Sequence, residues 1–439
     1  MASSTLSLGS SAYELLEALD PSKSSDDAKI RDRGNGNVDL LSATNGALIG
    51  DSTATGNGIG IQAAALSNGM DVKVFGASDE LKFTAADVVA DGTESGSDAA
   101  ADKVRLFGNA EKLELQTGGG ADNIAALRDA TNAKISTGSG DDTLRIGGKA
   151  DGSLISTGTG DDNILVGRAS DGIDIVAGAG DDTVTFNNKF TTSGTLRTES
   201  YDDGTGGTAT TQFSNLIDLG AGNDQLTARD GIEATGVARY RVAAGEGNDT
   251  ITFGANSDSE GVDLLTQAGS DSIVLGQSIT DSTINFGADT NSSNLGDTLV
   301  LGSGGSMINT TITSGNAGGD SLVMGGYVSY DNSTFTSQFG SGADNIDFSN
   351  GTADFAGSLW NLGGGNDTLT LNGSSIINAN FALGGGSNTV YANSAAFFDG
   401  VVISDFGADD VLIIGTATIA FADRNDTDVT GLYGITFNS

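Results

Sequence analysis

The chain contains no cysteine, no histidine and only one proline in 439 residues. Without cysteine there can be no disulfide. Without histidine there can be no His-ligated zinc, no haem–histidine site and no Ser-His-Asp or Cys-His triad. Basic residues are scarce as well, 20 Lys and Arg against 58 Asp and Glu, for a formal net charge of −38. A charge of this sign repels nucleic acid and anionic membranes, so neither is an expected partner. The natural electrostatic partner is a hard cation, because carboxylates are oxygen ligands. No apolar run approaches the ~18 residues of a membrane helix. The first residues, Met1 to Leu6, lack the basic segment and apolar core of a secretory signal. Export is therefore expected to rest on an uncleaved signal elsewhere.

What the chain has in abundance is glycine, 67 residues, about twice the usual share. An acidic, glycine-rich composition is also that of disordered chains, but here Leu, Ile, Val and Phe recur at regular places. Gly138-Ser139-Gly140-Asp141-Asp142-Thr143-Leu144 returns as Gly158-Thr159-Gly160-Asp161-Asp162-Asn163-Ile164. Taking the last acidic residue of each G-x-G-x-D turn as a marker, full matches end at Asp122, Asp142, Asp162, Asp182, Asp224, Asp249, Asp344 and Asp367. Degenerate turns fall at Asp271, Asp297, Asp320, Asn388 and Asp409. Successive spacings are 20, 20, 20, 42, 25, 22, 26, 23, 24, 23, 21 and 21 residues.

The apolar pattern is stricter than the glycines. Two and four residues after every marker comes an apolar residue, as in Leu144 and Ile146, Ile164 and Val166, or Leu369 and Leu371. Period-two alternation is the pattern of a strand with one buried face. The same phase extends back through Asp102, Asp79, Asn57 and Gly36. A 20- to 26-residue period of short strands and glycine turns predicts an all-β fold, a right-handed parallel β-solenoid (β-roll or β-helix) of about 17–18 coils. Each coil would place one strand before the turn and one after it.

The ends of a solenoid are open sheet edges and need covers. Ser11 to Glu14 has capping-box spacing, followed by Leu15, Leu16 and Leu19 and then Pro21, which predicts a short helix over residues 11–20. The expected organisation is an N-terminal cap at 1–33, degenerate coils at 34–110 and a glycine-turn solenoid at 111–415 with an irregular insertion at 187–215. Residues 416–439 would be a C-terminal cap or an uncleaved secretion or assembly tail.

Alternate glycines let each turn curl tightly, and the Asp adds a carboxylate, so stacked turns offer an oxygen cage suited to Ca²⁺. These turns resemble the RTX, or hemolysin-type, calcium-binding repeats found in bacterial surface-layer proteins and some phage virion proteins. The resemblance implies several Ca²⁺ ions, calcium-dependent folding, an extracellular setting and type I secretion. It assigns metal binding to Gly118, Gly120 and Asp122; Gly138, Gly140 and Asp142; Gly158, Gly160 and Asp162; and Gly178, Gly180 and Asp182. Further along it assigns Gly220, Gly222 and Asp224; Gly245, Gly247 and Asp249; Gly340, Gly342 and Asp344; and Gly363, Gly365 and Asp367. RTX nonapeptides run in tandem, whereas one motif per coil here places calcium on one side only. Plain Gly/Asp turn chemistry without metal is the alternative account of the same residues.

Arg197, Arg229, Arg239 and Arg241, with Glu199 and Asp230, lie near the irregular stretch but form no catalytic spacing, and read as a solvated charged face. No catalytic residues are expected. The pattern is that of a non-enzymatic extracellular structural protein, a calcium-stiffened rod assembling with itself, as a filament or lattice, into a surface layer, sheath or matrix. Three alternatives stay open: a virion fibre, horn or capsid decoration, a calcium-dependent adhesin, and a calcium-dependent polysaccharide lyase. Other surface or virion proteins are the alternative partners.

Overall fold

The structure, a computed structural model, describes strands between residues 28 and 84, all of 101–192, and most of 197–438. Its gaps in the last stretch are 203–207, 236–237, 256, 288–295, 303–304, 315–317, 325–327, 332–333, 336–341, 349–351, 355–358, 372–374, 394–396, 421 and 423–434. Every named element is a β-strand, and nearly all pair in parallel with a strand about one repeat away, which is the predicted right-handed parallel β-solenoid. The helix expected at 11–20 lies outside the described residues. The chain divides into two compact units, residues 1–191 with 215–221, and residues 192–214 with 222–439.

The first unit follows the strict repeat. Strands Asn123–Ala126, Thr143–Ile146, Asn163–Val166 and Thr183–Phe186 stack in parallel with Ile124, Leu144, Ile164 and Val184 in one register row. That row and the next, Ala126, Ile146, Val166 and Phe186, are at most 1% exposed. Each fully buried aliphatic side chain removes apolar area worth about 2 kcal/mol. Before each turn, Lys134–Ser139, Leu154–Thr159 and Asp174–Ala179 form a second parallel ladder. Two separate ladders of short strands, one ending in Ala130–Thr131 and the other holding Ser170–Asp171 and Phe190–Thr192, add a third face to most coils. Strands that short carry too little alternation to be visible in sequence. The corner after them uses left-handed backbone at Lys112, Asn132, Gly152 and Gly172. Asn tolerates that conformation, so no fixed glycine marks the corner.

Before residue 100 the phase differs from the expected one. Ala28–Gly34 and Asn37–Ala43 pair antiparallel, so Val38 and Leu40 belong to a hairpin rather than to a coil. The post-turn ladder starts at Ala47–Asp51, which pairs with Asp71–Phe75 and through it with Lys103–Leu106. Gly60–Gln62 and Lys82–Thr84 join the pre-turn ladder, with Phe83 in register with Leu115. Both strands were expected after a turn. With glycines no longer fixing the corner, alternation alone does not distinguish one apolar face from another.

In the second unit the post-turn ladder runs from Gln225–Ala228 through Thr250–Phe253 and Ser272–Leu275 to Val411–Ile414. The 187–215 stretch is largely an antiparallel hairpin, Arg197–Asp202 with Thr208–Phe213. Phe213 ends it as a buried side chain, with the Arg241 guanidinium 5.7 Å from its ring centroid. Arg241 is 6% exposed, so it is no part of a solvated face. Arg239 is paired bidentately with Asp263 and donates to the Asp281 carbonyl. At the C-terminus, Val411–Ile414 turns back into Ala417–Ala420, an antiparallel partner that ends the parallel ladder. Ile435–Asn438 adds in parallel to Val401–Ser404, with the Phe437 ring 5.0 Å from Phe406. The described coils are fewer than the 17–18 the spacing predicts, and hairpins stand where two of those coils were expected.

Candidate metal centre

The markers face inward. Among the described residues, Asp102, Asp122, Asp142, Asp162 and Asp182 in the first unit are at most 4% exposed. So are Asp224, Asp249, Asp271, Asp297, Asp344, Asp367, Asn388 and Asp410 in the second, with Asp320 at 5%. Through Asp162 in the first unit and from Asp224 to Asn388 in the second, the marker N–H donates to Oδ1 of the marker in the following coil. The distance is 2.7–2.8 Å for Asp102 to Asp122, Asp122 to Asp142, Asp142 to Asp162 and Asp162 to Asp182. The same bond repeats at 2.7–2.9 Å from Asp224 through Asp249, Asp271, Asp297, Asp320, Asp344, Asp367 and Asn388 to Asp410. A buried N–H left without an acceptor costs about 1–3 kcal/mol, and the Asp or Asn of the following coil supplies one along these rows. The first acid of the doubled pairs works in the opposite direction. Asp161 N–H donates to Asp141 Oδ1 at 3.0 Å, and Asp181 N–H to Asp161 Oδ1 at 2.9 Å, on the exposed side.

The second carboxylate oxygen is different. Oδ2 of Asp122, Asp142, Asp162, Asp249, Asp344 and Asp367 is buried and receives no hydrogen bond. Threonine hydroxyls stand beside three of these carboxyls, but Thr137 donates to the Thr157 carbonyl and Thr157 to the Ala177 carbonyl, both at 3.1 Å. Burial pushes the carboxyl of Asp122 up to about 8, with Asp142 and Asp102 adding repulsion against the lowering influence of Thr117 and the Asp102 N–H. Burial likewise raises Asp344 to about 8, Asp249 to about 7, and Asp142 and Asp367 to about 6, and it raises Asp162. A buried oxygen without a donor, on a group whose charge is this costly, calls for a proton or a cation.

The glycines build the walls. Gly118, Gly120, Gly138, Gly140, Gly158, Gly160, Gly178, Gly180 and Gly220 of the first unit have φ between +92° and +133°. In the second unit Gly222, Gly245, Gly247, Gly363 and Gly365 have φ between +85° and +147°. Gly342 lies outside the left-handed region, and Gly340 outside the described residues. A Cβ on Gly140 or Gly160 would sit 2.3 Å from the carbonyl oxygen of Gly120 or Gly140, so turn carbonyls run along the stack toward the next coil.

Among the described residues no three Asp or Glu side chains converge on one point. A cation here would take carboxylate oxygen from the markers and complete its shell with backbone carbonyls. Both are hard oxygen donors, and the set fits Ca²⁺ rather than a nitrogen- or sulfur-seeking metal.

Three degenerate turns satisfy the second atom internally. The Ser314 hydroxyl donates to Asp320 Oδ2. Asn388 Nδ2 donates to the Leu383 carbonyl at 3.4 Å, and Asp410 Oδ2 accepts the Gly407 N–H at 2.6 Å. The last marker is thus Asp410 and not Asp409: Leu412 and Ile414, two and four residues on, are buried, whereas Val411 and Ile413 are only half-buried. Alternation in the run Val411 to Ile414 is ambiguous by one residue, and the ladder bond resolves it. Ser314 and the threonines five residues before the markers, Thr117, Thr137 and Thr157, escaped sequence reasoning, although the 20-residue recurrence of the threonines is visible in the chain. No protein-family model matches the chain, and no curated protein matches its sequence.

Proposed function

We propose that this is a non-enzymatic structural protein whose coils are locked together by calcium at the intact glycine turns, and that it serves outside the cell as a surface-layer, sheath or matrix component. The observation that supports this most is the set of bare, buried Oδ2 atoms at Asp122, Asp142, Asp162, Asp249, Asp344 and Asp367. A divalent cation between stacked turns neutralises these carboxylates and supplies the partner they lack. Acids this regularly placed are committed to coil-to-coil bonding, which is the work of a scaffold. The medium outside cells holds the millimolar calcium that weak oxygen sites need.

The charge of −38 keeps isolated molecules apart at low ionic strength. Calcium reduces that repulsion and lets the coil ends join, so self-association is expected to be calcium-dependent. The test is electron microscopy and light scattering of the full chain in millimolar Ca²⁺. Ordered sheets or filaments that dissolve on chelation are expected. A chain that stays monomeric at high concentration in calcium would contradict self-assembly and point to docking on a different protein. Antibody labelling of intact producing cells tests the location; signal confined to the cell interior would contradict it.

A further inference from the structure

Three of the degenerate turns differ from the intact ones in more than their glycines. Asp344 and Asp367 are adjacent markers, each 1% exposed and each with a bare Oδ2. The Asp344 N–H donates to Asp367 Oδ1 at 2.9 Å, so the two markers are joined directly. The Gly342 carbonyl runs between these two turns, 1.6 Å from where a Cβ on Gly365 would stand. On the N-terminal side of the pair, Asp320 has its Oδ2 occupied by the Ser314 hydroxyl. On the C-terminal side, Asn388 keeps the ladder through Oδ1, which accepts the Asp367 N–H at 2.9 Å, while its Nδ2 donates to the Leu383 carbonyl. One coil further, both oxygens of Asp410 accept backbone N–H groups, from Asn388 at 2.7 Å and Gly407 at 2.6 Å.

We infer that the turns of Asp344 and Asp367 form an isolated site for one divalent cation, and that Ser314 and Asn388 are the residues that keep the flanking coils free of metal. This rests on the calcium reading of the intact turns. A hydroxyl or amide donor places hydrogen where a cation would sit, and Asn388 also removes one negative charge. Cation affinity in oxygen sites follows the number of charged ligands and the room left for the ion. Ser314 and Asn388 each change one of these locally while leaving the backbone ladder intact. In the first unit, by contrast, Asp122, Asp142 and Asp162 succeed one another without such a block. Ions there share carboxylates and bind as a coupled row, whereas the 344–367 ion binds independently.

The two blocking residues give gain-of-function tests. Asn388→Asp places a third charged carboxylate beside Asp367, and Ser314→Ala removes the hydroxyl that donates to Asp320 Oδ2. Calcium bound per full-length chain would be measured by equilibrium dialysis for the wild type and both variants, with circular dichroism confirming the fold. Each variant is expected to bind about one ion more than the wild type. Asn388→Asp should also melt lower than wild type in chelator and recover with calcium, because it loses the Leu383 hydrogen bond and gains a buried charge. If Asn388→Asp does not fold, Ser314→Ala, which removes one oxygen, still decides. Wild type that binds calcium with no gain in either variant overturns this inference alone. Wild type that binds no calcium overturns the calcium reading and this inference with it.

Discussion

At the scale of single residues, two requirements meet in each turn, a glycine where the coils touch and an acid where an N–H needs an acceptor. Gly158 shows the first. Its φ is +107°, and a Cβ there would lie 1.9 Å from the Gly138 carbonyl oxygen. Gly385 has neither constraint, with nothing within 4 Å of its Cβ position. Gly158→Ala is expected to destabilise by about 3 kcal/mol or more, from left-handed strain plus the clash. Gly385→Ala should stay within about 0.5 kcal/mol; denaturant titration of both variants checks the contrast. For the acid, Asp162→Asn retains an Oδ1 acceptor, as Asn388 does naturally, but removes the charge. The variant should fold and bind fewer calcium ions, and an unchanged stoichiometry by dialysis would count against a metal at that turn. The raised carboxyls also set a pH dependence. Asp122 and Asp344, at about 8, and Asp249, at about 7, hold protons in the folded chain at pH values where the unfolded chain has released them. Between about pH 4 and pH 8 the folded state binds more protons, so stability falls as pH rises through that window. In chelator, melting temperature should drop from pH 5 to pH 8. Calcium, which competes with those protons, should restore most at pH 8.

At the scale of elements, the post-turn strand was legible because two fixed features, a marker and two apolar positions, recur at one spacing. From Val104 to Ala392 the pairs predicted to be inward are buried wherever their side chains are described. Where one feature fades the phase slips, by one residue at Asp410 and by a whole face at Phe83. The third face was invisible because its strands are two to four residues long and its corner accepts Lys112 and Asn132 as readily as Gly152. At the site, the glycines and acids could be read from their spacing. Which carboxylate oxygen is satisfied could not, since Ser314 and Leu383 reach the markers across five or six residues. The hairpin residue Phe213 illustrates a contact with no periodic signal: it is 1% exposed and carries the Arg241 guanidinium on its ring. Phe213→Ala is expected to cost about 3–5 kcal/mol and to expose a buried arginine. Chemical denaturation, with limited proteolysis reporting on the 193–214 segment, would detect both effects; a loss below about 1 kcal/mol would show that the hairpin contributes little to the wall.

At the scale of the whole molecule, buried charge is the dominant feature. Bare carboxylate oxygens recur in both units, and the chain carries 58 acids against 20 bases. A cation present at 100 times its dissociation constant adds about 2.7 kcal/mol per site. Several sites together would raise the melting temperature by roughly 10 °C or more in a chain of this size. Thermal unfolding of the full chain at pH 8, in excess chelator and again in millimolar Ca²⁺, with bound calcium counted in the same samples, tests this directly. The expected result is several ions per chain and a large upward shift of the melting temperature, with β-sheet circular dichroism strengthening in parallel. Identical melting curves and spectra in the two conditions, with no calcium retained, would contradict it.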